Sequence, residues 1–144
     1  MSAFTDYTEA AILNHIFRNQ TYHKPVAIYV AMFTANPGEN DAAGTECSYT
    51  GYARRDAADA GPIDTGWTIV VDEPAGDGKQ TTNAKTLTFA PNNGPDNVTV
   101  THIGLYDAAT NGNLLFWAEL TEPKTLQSGD VLSFLPGDIV VVLD

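Results

Sequence analysis

The stretch Val98-Thr-Val-Thr-His-Ile-Gly-Leu-Tyr106, then DAATNGN (107–113), then Leu114-Leu-Phe-Trp-Ala-Glu-Leu120, decides the fold. The first run alternates with the two-residue period of a strand. It sets Val98, Val100, His102, Gly104 and Tyr106 on one face, and Thr99, Thr101, Ile103 and Leu105 on the other. DAATNGN carries the Asn-Gly chemistry of a hairpin loop. The returning strand, 113–121, places Leu114, Phe116, Ala118 and Leu120 on one side and Leu115, Trp117 and Glu119 on the other. Both of its faces are largely apolar, so at least one is covered by another sheet, a helix or a second copy of the chain.

Strand signals continue on either side of this hairpin. Downstream, Gln127-Ser-Gly-Asp130 is a turn, and two short strands, Val131 to Leu135 and Ile139 to Leu143, flank Pro136-Gly-Asp138. The last of them, Ile-Val-Val-Val-Leu, is the β-branched run of a buried strand. Upstream, Thr86 to Ala90 alternates and stops at Pro91 before the turn cluster NNGPDN (92–97). Trp67 to Val71 is a short apolar run closed by DEPAGDGKQ (72–80), and residues 49–57 read as a strand carrying Tyr49, Tyr52, Arg54 and Arg55. ANPGENDAAGTE (35–46) is loop chemistry. Val26 to Phe33 alternates with both faces apolar, which predicts a central strand.

One helix signal stands before all of this. Asp6 and Glu9 have the spacing of a capping box, which predicts a helix over about residues 7–18. Ile12, Leu13, Ile16 and Phe17, with the small Ala10, form its apolar stripe. That stripe must be covered, by the chain's own domain in the simpler reading and by a neighbouring subunit in the other. About seven or eight short strands after one helix, with no helical period beyond residue 20, predict a mainly β fold. The expected architecture is an antiparallel, jelly-roll-like β-sandwich over about 25–144, in a single domain spanning 1–144. A parallel α/β fold would need a helix between successive strands and is excluded.

Composition narrows the function. With 18 acidic and 7 basic side chains in 144 residues, the net charge is −11, which repels phosphate backbones and anionic lipid. Neither nucleic acid nor a membrane is an expected partner. No apolar run reaches the roughly 18 residues of a membrane span, and MSAFTDYTEA has no basic segment leading into an apolar one. A soluble, unexported chain is expected. The single cysteine, Cys47, excludes an internal disulfide framework.

Catalytic chemistry finds little purchase. Cys47 sits among Glu46, Ser48 and Tyr49, with nothing local to lower its pKa. His15, His23 and His102 do not share a metal-ligand spacing. The acidic loops, with Glu39 and Asp41 in one and Asp72, Glu73 and Asp77 in the other, lack the calcium-loop pattern. No nucleotide-binding glycine motif or nucleophile elbow occurs. The expectation is a protein that is not an enzyme and carries no cofactor or metal.

The segments Ala11-Ile-Leu-Asn-His-Ile-Phe-Arg18, Lys24-Pro-Val-Ala-Ile-Tyr-Val-Ala-Met-Phe-Thr34 and Gly51-Tyr-Ala-Arg54 resemble the N-terminal half of small virion proteins of tailed bacteriophages. Val100-Thr-His-Ile-Gly-Leu-Tyr-Asp107, Gly112-Asn-Leu-Leu115, Ser128-Gly-Asp-Val-Leu-Ser-Phe134 and the ending Ile139 to Asp144 resemble the other half of the same family. Such proteins are usually labelled tail-fibre proteins, and relatives act as cement or decoration proteins, commonly trimers, on the outside of the capsid. A tail-fibre shaft is normally built from repeats, and this chain has none. The resemblance therefore implies a decoration protein made in the host cytoplasm, a homotrimer bound to the major capsid protein on the shell's exterior. Its alternative is a tail-fibre or tail-associated receptor-binding protein. Ile12, Leu13, Ile16, Phe17, Arg54 and Arg55 are the candidate contact residues.

Overall fold

A computed structural model describes residues 3–143. In chain order the elements are β1 (Ala3–Phe4), α1 (Asp6–Phe17), β2 (Tyr29–Phe33), β3 (Arg55–Asp56), a 3₁₀ turn (Ile63–Thr65) and β4 (Val71–Asp72). There follow β5 (Lys79–Thr82), β6 (Leu87–Thr88), β7 (Val98–Tyr106), β8 (Leu114–Leu126), β9 (Ser133–Phe134) and β10 (Val140–Leu143). The strands form a five-stranded sheet in the order β1-β8-β7-β2-β3, a three-stranded sheet β10-β5-β4 and the pair β6-β9, with antiparallel pairing throughout. The fold is mainly β with one N-terminal helix, as the strand periodicities require.

Side chains from all three sheets meet in one core. Val30, Met32, Val100, Ile103 and Leu105 of the large sheet pack with Leu87, Phe134 and Val141 of the smaller ones. Phe89 joins the layers, stacked 6.2 Å from Tyr52 and edge-on at 6.2 Å to Phe134. Each such buried side chain contributes roughly 1.5–3 kcal/mol. The far face of the large sheet is also covered, by a second cluster of Ala31, Phe33, Tyr106 and Leu114 with Tyr29 and Trp117 against it. This is the two-faced burial expected of β2, although its strand begins at Tyr29 and Val26 stands 89% exposed in a preceding bend.

The long hairpin forms where predicted, with β7 at 98–106, but β8 runs on to Leu126 past the expected 113–121, and the faces differ. Between the pairs Val100–Lys124 and His102–Glu119, residues 120–123 of β8 stand opposite Thr101 alone. An odd number of extra residues reverses which side of the sheet faces the core. Val100 therefore shares the main core with Ile103 and Leu105, residues of opposite parity. Pro123, which has no N–H to give a ladder, lies in this irregular stretch. A second shift, where Leu105 pairs with Phe116 but Tyr106 with Leu114, leaves Leu115 over and sends Leu114 to the far cluster.

Gly104 marks a close approach on that far face. A Cβ there would lie 2.7 Å from both Phe33 Cε2 and Leu114 Cδ1. Gly104→Ala is expected to destabilise by about 2 kcal/mol, the usual order for overpacking. Thermal unfolding of G104A checks this, and combining it with Phe33→Leu should return part of the loss.

Other strand expectations are trimmed: of Thr86 to Ala90 only Leu87–Thr88 is a strand, and the last strand begins at Val140 and not Ile139. Of 49–57 only Arg55–Asp56 is a strand, because the chain turns at Tyr49, whose carbonyl accepts the Tyr52 N–H at 2.9 Å. Of Trp67 to Val71 only Val71 is in a strand, with Trp67 bridged to Asn83. Of Val131 to Leu135 only Ser133–Phe134 pairs, with β6.

Candidate functional site

The helix is fixed at its beginning by hydroxyls. Thr5, one residue before the expected cap, is the N-cap, and its Oγ1 accepts the Thr8 N–H at 3.5 Å. Thr5 Oγ1 also donates to Leu114 O at 2.5 Å, and Thr8 Oγ1 donates to Leu115 O at 2.9 Å. The carbonyls around the bulged Leu115 are thus satisfied by the start of α1, which ties the helix to β8. The Asp6 N–H is taken not by Glu9 but by Glu39 Oε2 from the 35–46 loop, at 3.1 Å.

The apolar stripe of α1 is not covered by its own domain. Leu13, Ile16 and Phe17 are 56%, 63% and 73% exposed, Ile12 is half-buried, and Thr8 is the fully buried helix residue. The reason is where the helix is anchored. It meets β1 and β8, through threonines rather than through the stripe, so Leu13, Ile16 and Phe17 face outward. The helix then ends with Asn19 at φ 54° and with Arg18 and Gln20 N–H groups on Asn14 O at 3.0 and 3.2 Å.

The two arginines nominated for contact part company. The Arg54 side chain is 8% exposed. Its Nε and Nη2 donate to Glu46 Oε1 and Oε2 at 2.8 and 2.7 Å, and its Nη1 donates to Ala108 O and Asn111 O at 2.9 and 2.7 Å. The guanidinium lies 3.3 Å from the centroid of the Tyr106 ring. Burial alone would lower its pKa, but the hydrogen bonds and charge of Glu46 reverse that and raise it. Tyr52 completes the group, donating to Glu46 Oε1 at 2.8 Å and accepting the Met32 N–H at 3.1 Å. Arg54 therefore braces the 107–113 loop from inside the fold, whereas Arg55 is 44% exposed and 3.9 Å from Asp59.

Other reactive side chains are used internally. His102 is buried, with Nδ1 2.8 Å from Thr101 Oγ1 and its ring 5.8 Å from that of Trp117. Asp41 accepts from the Thr45 N–H and hydroxyl at 2.7 and 2.9 Å, holding its own loop. Among the described residues no three His, Cys, Asp or Glu side chains gather as metal ligands, and no helix is long and apolar enough to cross a membrane.

Burial, followed by the charge of Glu46, pushes the Cys47 thiol up to about 12. Burial likewise raises the Tyr106 phenol to about 12 and pushes the Tyr52 phenol up. These acids hold their protons more tightly folded than unfolded. Their contribution to stability is complete below the ordinary values, 9.0 for the thiol and 10.0 for the phenols, and is lost as pH rises through the folded ones. The midpoint of unfolding is expected to fall as pH climbs above about 9. A thiol reagent at pH 8 should label Cys47 only after denaturation; rapid labelling of the native protein would contradict the buried thiol.

A second exposed apolar region lies on the three-stranded sheet. Ile69 and Val70 are 83% and 67% exposed, beside Val71, Val140 and Leu143 at 42–43%. Between this sheet and the large one is an apolar pocket of about 240 Å³, walled by Ile28, Trp67, Leu105, Phe116 and Val141 and rimmed by Val70 and Leu143. In sequence Trp67 to Val71 is a short apolar run, and nothing in a run of β-branched residues says that its outer side has no neighbour.

The fold is thus a small, mainly β module that turns apolar side chains outward from a helix and from a sheet. Residues 3–142 match the family model for podophage GP4 fiber I protein gp80, and the chain belongs to that family. It is thus a phage structural protein of the fibre type. No curated protein matches the chain.

Proposed function

We propose that the chain is a structural subunit of a podophage fibre, held to its neighbours by protein contacts and carrying out no catalytic step. The observation that carries this reading is the family match over residues 3–142. It is supported by the outward-facing Leu13, Ile16 and Phe17 on α1 and Ile69 and Val70 beside β4, since large exposed apolar patches mark interaction sites. The partner surfaces would be those of other virion proteins.

A second reading is the capsid decoration protein implied by the sequence resemblance, a trimer on the major capsid protein. It is favoured by the absence of any internal repeat of the kind that builds a shaft. The two differ in position on the particle. An electron cryo-microscopy map of the parent virion, with an antibody to this chain as a marker, is expected to show label and matching density at the tail. Density at regular points on the shell would overturn the fibre reading in favour of decoration.

A further inference from the structure

Two surfaces of the chain are complementary to each other, and the helix that carries one does not touch the smaller sheet that walls the other. The first is the tip of α1, where Ile16 and Phe17 are 63% and 73% exposed. In sequence the tip lies within residues 10–38, which carry Arg18 and Lys24 and no carboxylate, in a chain of net charge −11. Both cations are exposed. The second is the apolar pocket of about 240 Å³ between the sheets, rimmed by Val70 and Leu143. Its neighbouring hairpin, β4 to β5, carries Asp72, Glu73 and Asp77 against Lys79 alone. Helix α1 contacts β1 and β8 and none of the strands of the pocket's smaller sheet.

We propose that the α1 tip of one copy seats in the pocket of a second copy of this chain. Size agrees: an apolar cavity of about 150 Å³ accepts a benzene ring, so this one has room for the Phe17 ring. Charge agrees as well, because seating Phe17 brings the exposed Arg18 next to it in the chain toward the acidic hairpin. The contact joins two different surfaces, so it is heterologous. Each copy offers one tip and one pocket, which gives a ring if the rotation closes and a filament if it does not. The inference rests on these surfaces and holds whether the chain sits at the tail or on the shell.

Complementation tests it. Phe17→Ser removes the tip and keeps the pocket, while Val70→Glu blocks the pocket and keeps the tip; both positions are exposed, so both variants are expected to fold, as thermal unfolding verifies. By sedimentation velocity the unaltered chain should associate with rising concentration, and each variant alone should lose at least about tenfold in that affinity. An equal mixture of the two should form a 1:1 dimer that stops there. Arg18→Glu, a surface change with no core contact, should weaken association and reduce its salt dependence. A wild-type chain that stays monomeric, variants that associate like it, or a mixture that remains monomeric would each overturn the proposal, without bearing on where the particle carries the chain.

Discussion

Asn83→Ala is expected to destabilise the fold by about 3 kcal/mol, the order for several buried polar groups losing their partner at once. Asn83 is fully buried between β5 and the turn that precedes β10. Its Nδ2 donates to Lys85 O and Leu135 O at 2.9 and 2.8 Å, and its Oδ1 accepts from the Gly137 and Ile139 N–H groups at 3.1 and 2.9 Å. One amide therefore joins three pieces of backbone, the exit of β5, the end of the β9 segment and the start of β10. Removing it leaves Lys85 O and the Ile139 N–H unanswered and takes from Leu135 O one of two donors, the other being the Asp138 N–H at 3.0 Å. Asn83→Asp should be no milder, because an oxygen then faces the two carbonyls that the amide N–H groups served. Chemical denaturation of both variants checks the order. A loss below about 0.5 kcal/mol, the range of an ordinary surface change, would show that water takes over these bonds.

Asn83 also shows where the sequence stops being legible. In TTNAKT (81–86) it reads as an ordinary turn residue, and Asn92, equally buried and bonded to Asp96 O and Leu126 O at 2.8 and 3.2 Å, reads as another. Their partners lie up to 56 residues away in sequence, so no local pattern announces them. The strands at 98–106 and 113–121 were legible because alternation is a local property, whereas the run of β8 on to Leu126 was not. Their faces were not, since the irregularities at Thr101 and Leu115 are set by what packs on each side of the sheet. The helix was legible from its cap spacing and period to within one residue. That its stripe points outward depended on Thr5 and Thr8 reaching the β8 carbonyls, and nothing in the helix sequence encodes that distance. Strand order, with β1 and β7 on either side of β8, follows from the same long-range contacts.

Arg54 is the candidate residue whose reading changes most, and its removal carries the other large effect. In sequence it stands beside Arg55 as a surface cation; in the fold, Glu46, two carbonyls of the 107–113 loop and the Tyr106 ring enclose it. Removing one member of a buried ion pair leaves the other charge without compensation, which costs about 3–5 kcal/mol. Glu46 keeps 21% of its side chain exposed, so solvent moderates the loss, and about 3 kcal/mol is expected for Arg54→Ala. Arg54→Lys should recover little of it, because a single ammonium cannot make the paired bonds to Glu46 and reach Ala108 O and Asn111 O together. Glu46→Gln should cost less than Arg54→Ala, and the double variant less than the sum of the two, with a coupling energy of about 1–3 kcal/mol. Arg55→Ala, at an exposed pair 3.9 Å from Asp59, should stay within about 0.5 kcal/mol of the unaltered chain. Equal losses at the two arginines, measured by denaturant unfolding, would mean that Arg54 is solvated and that the loop it braces is held by something else.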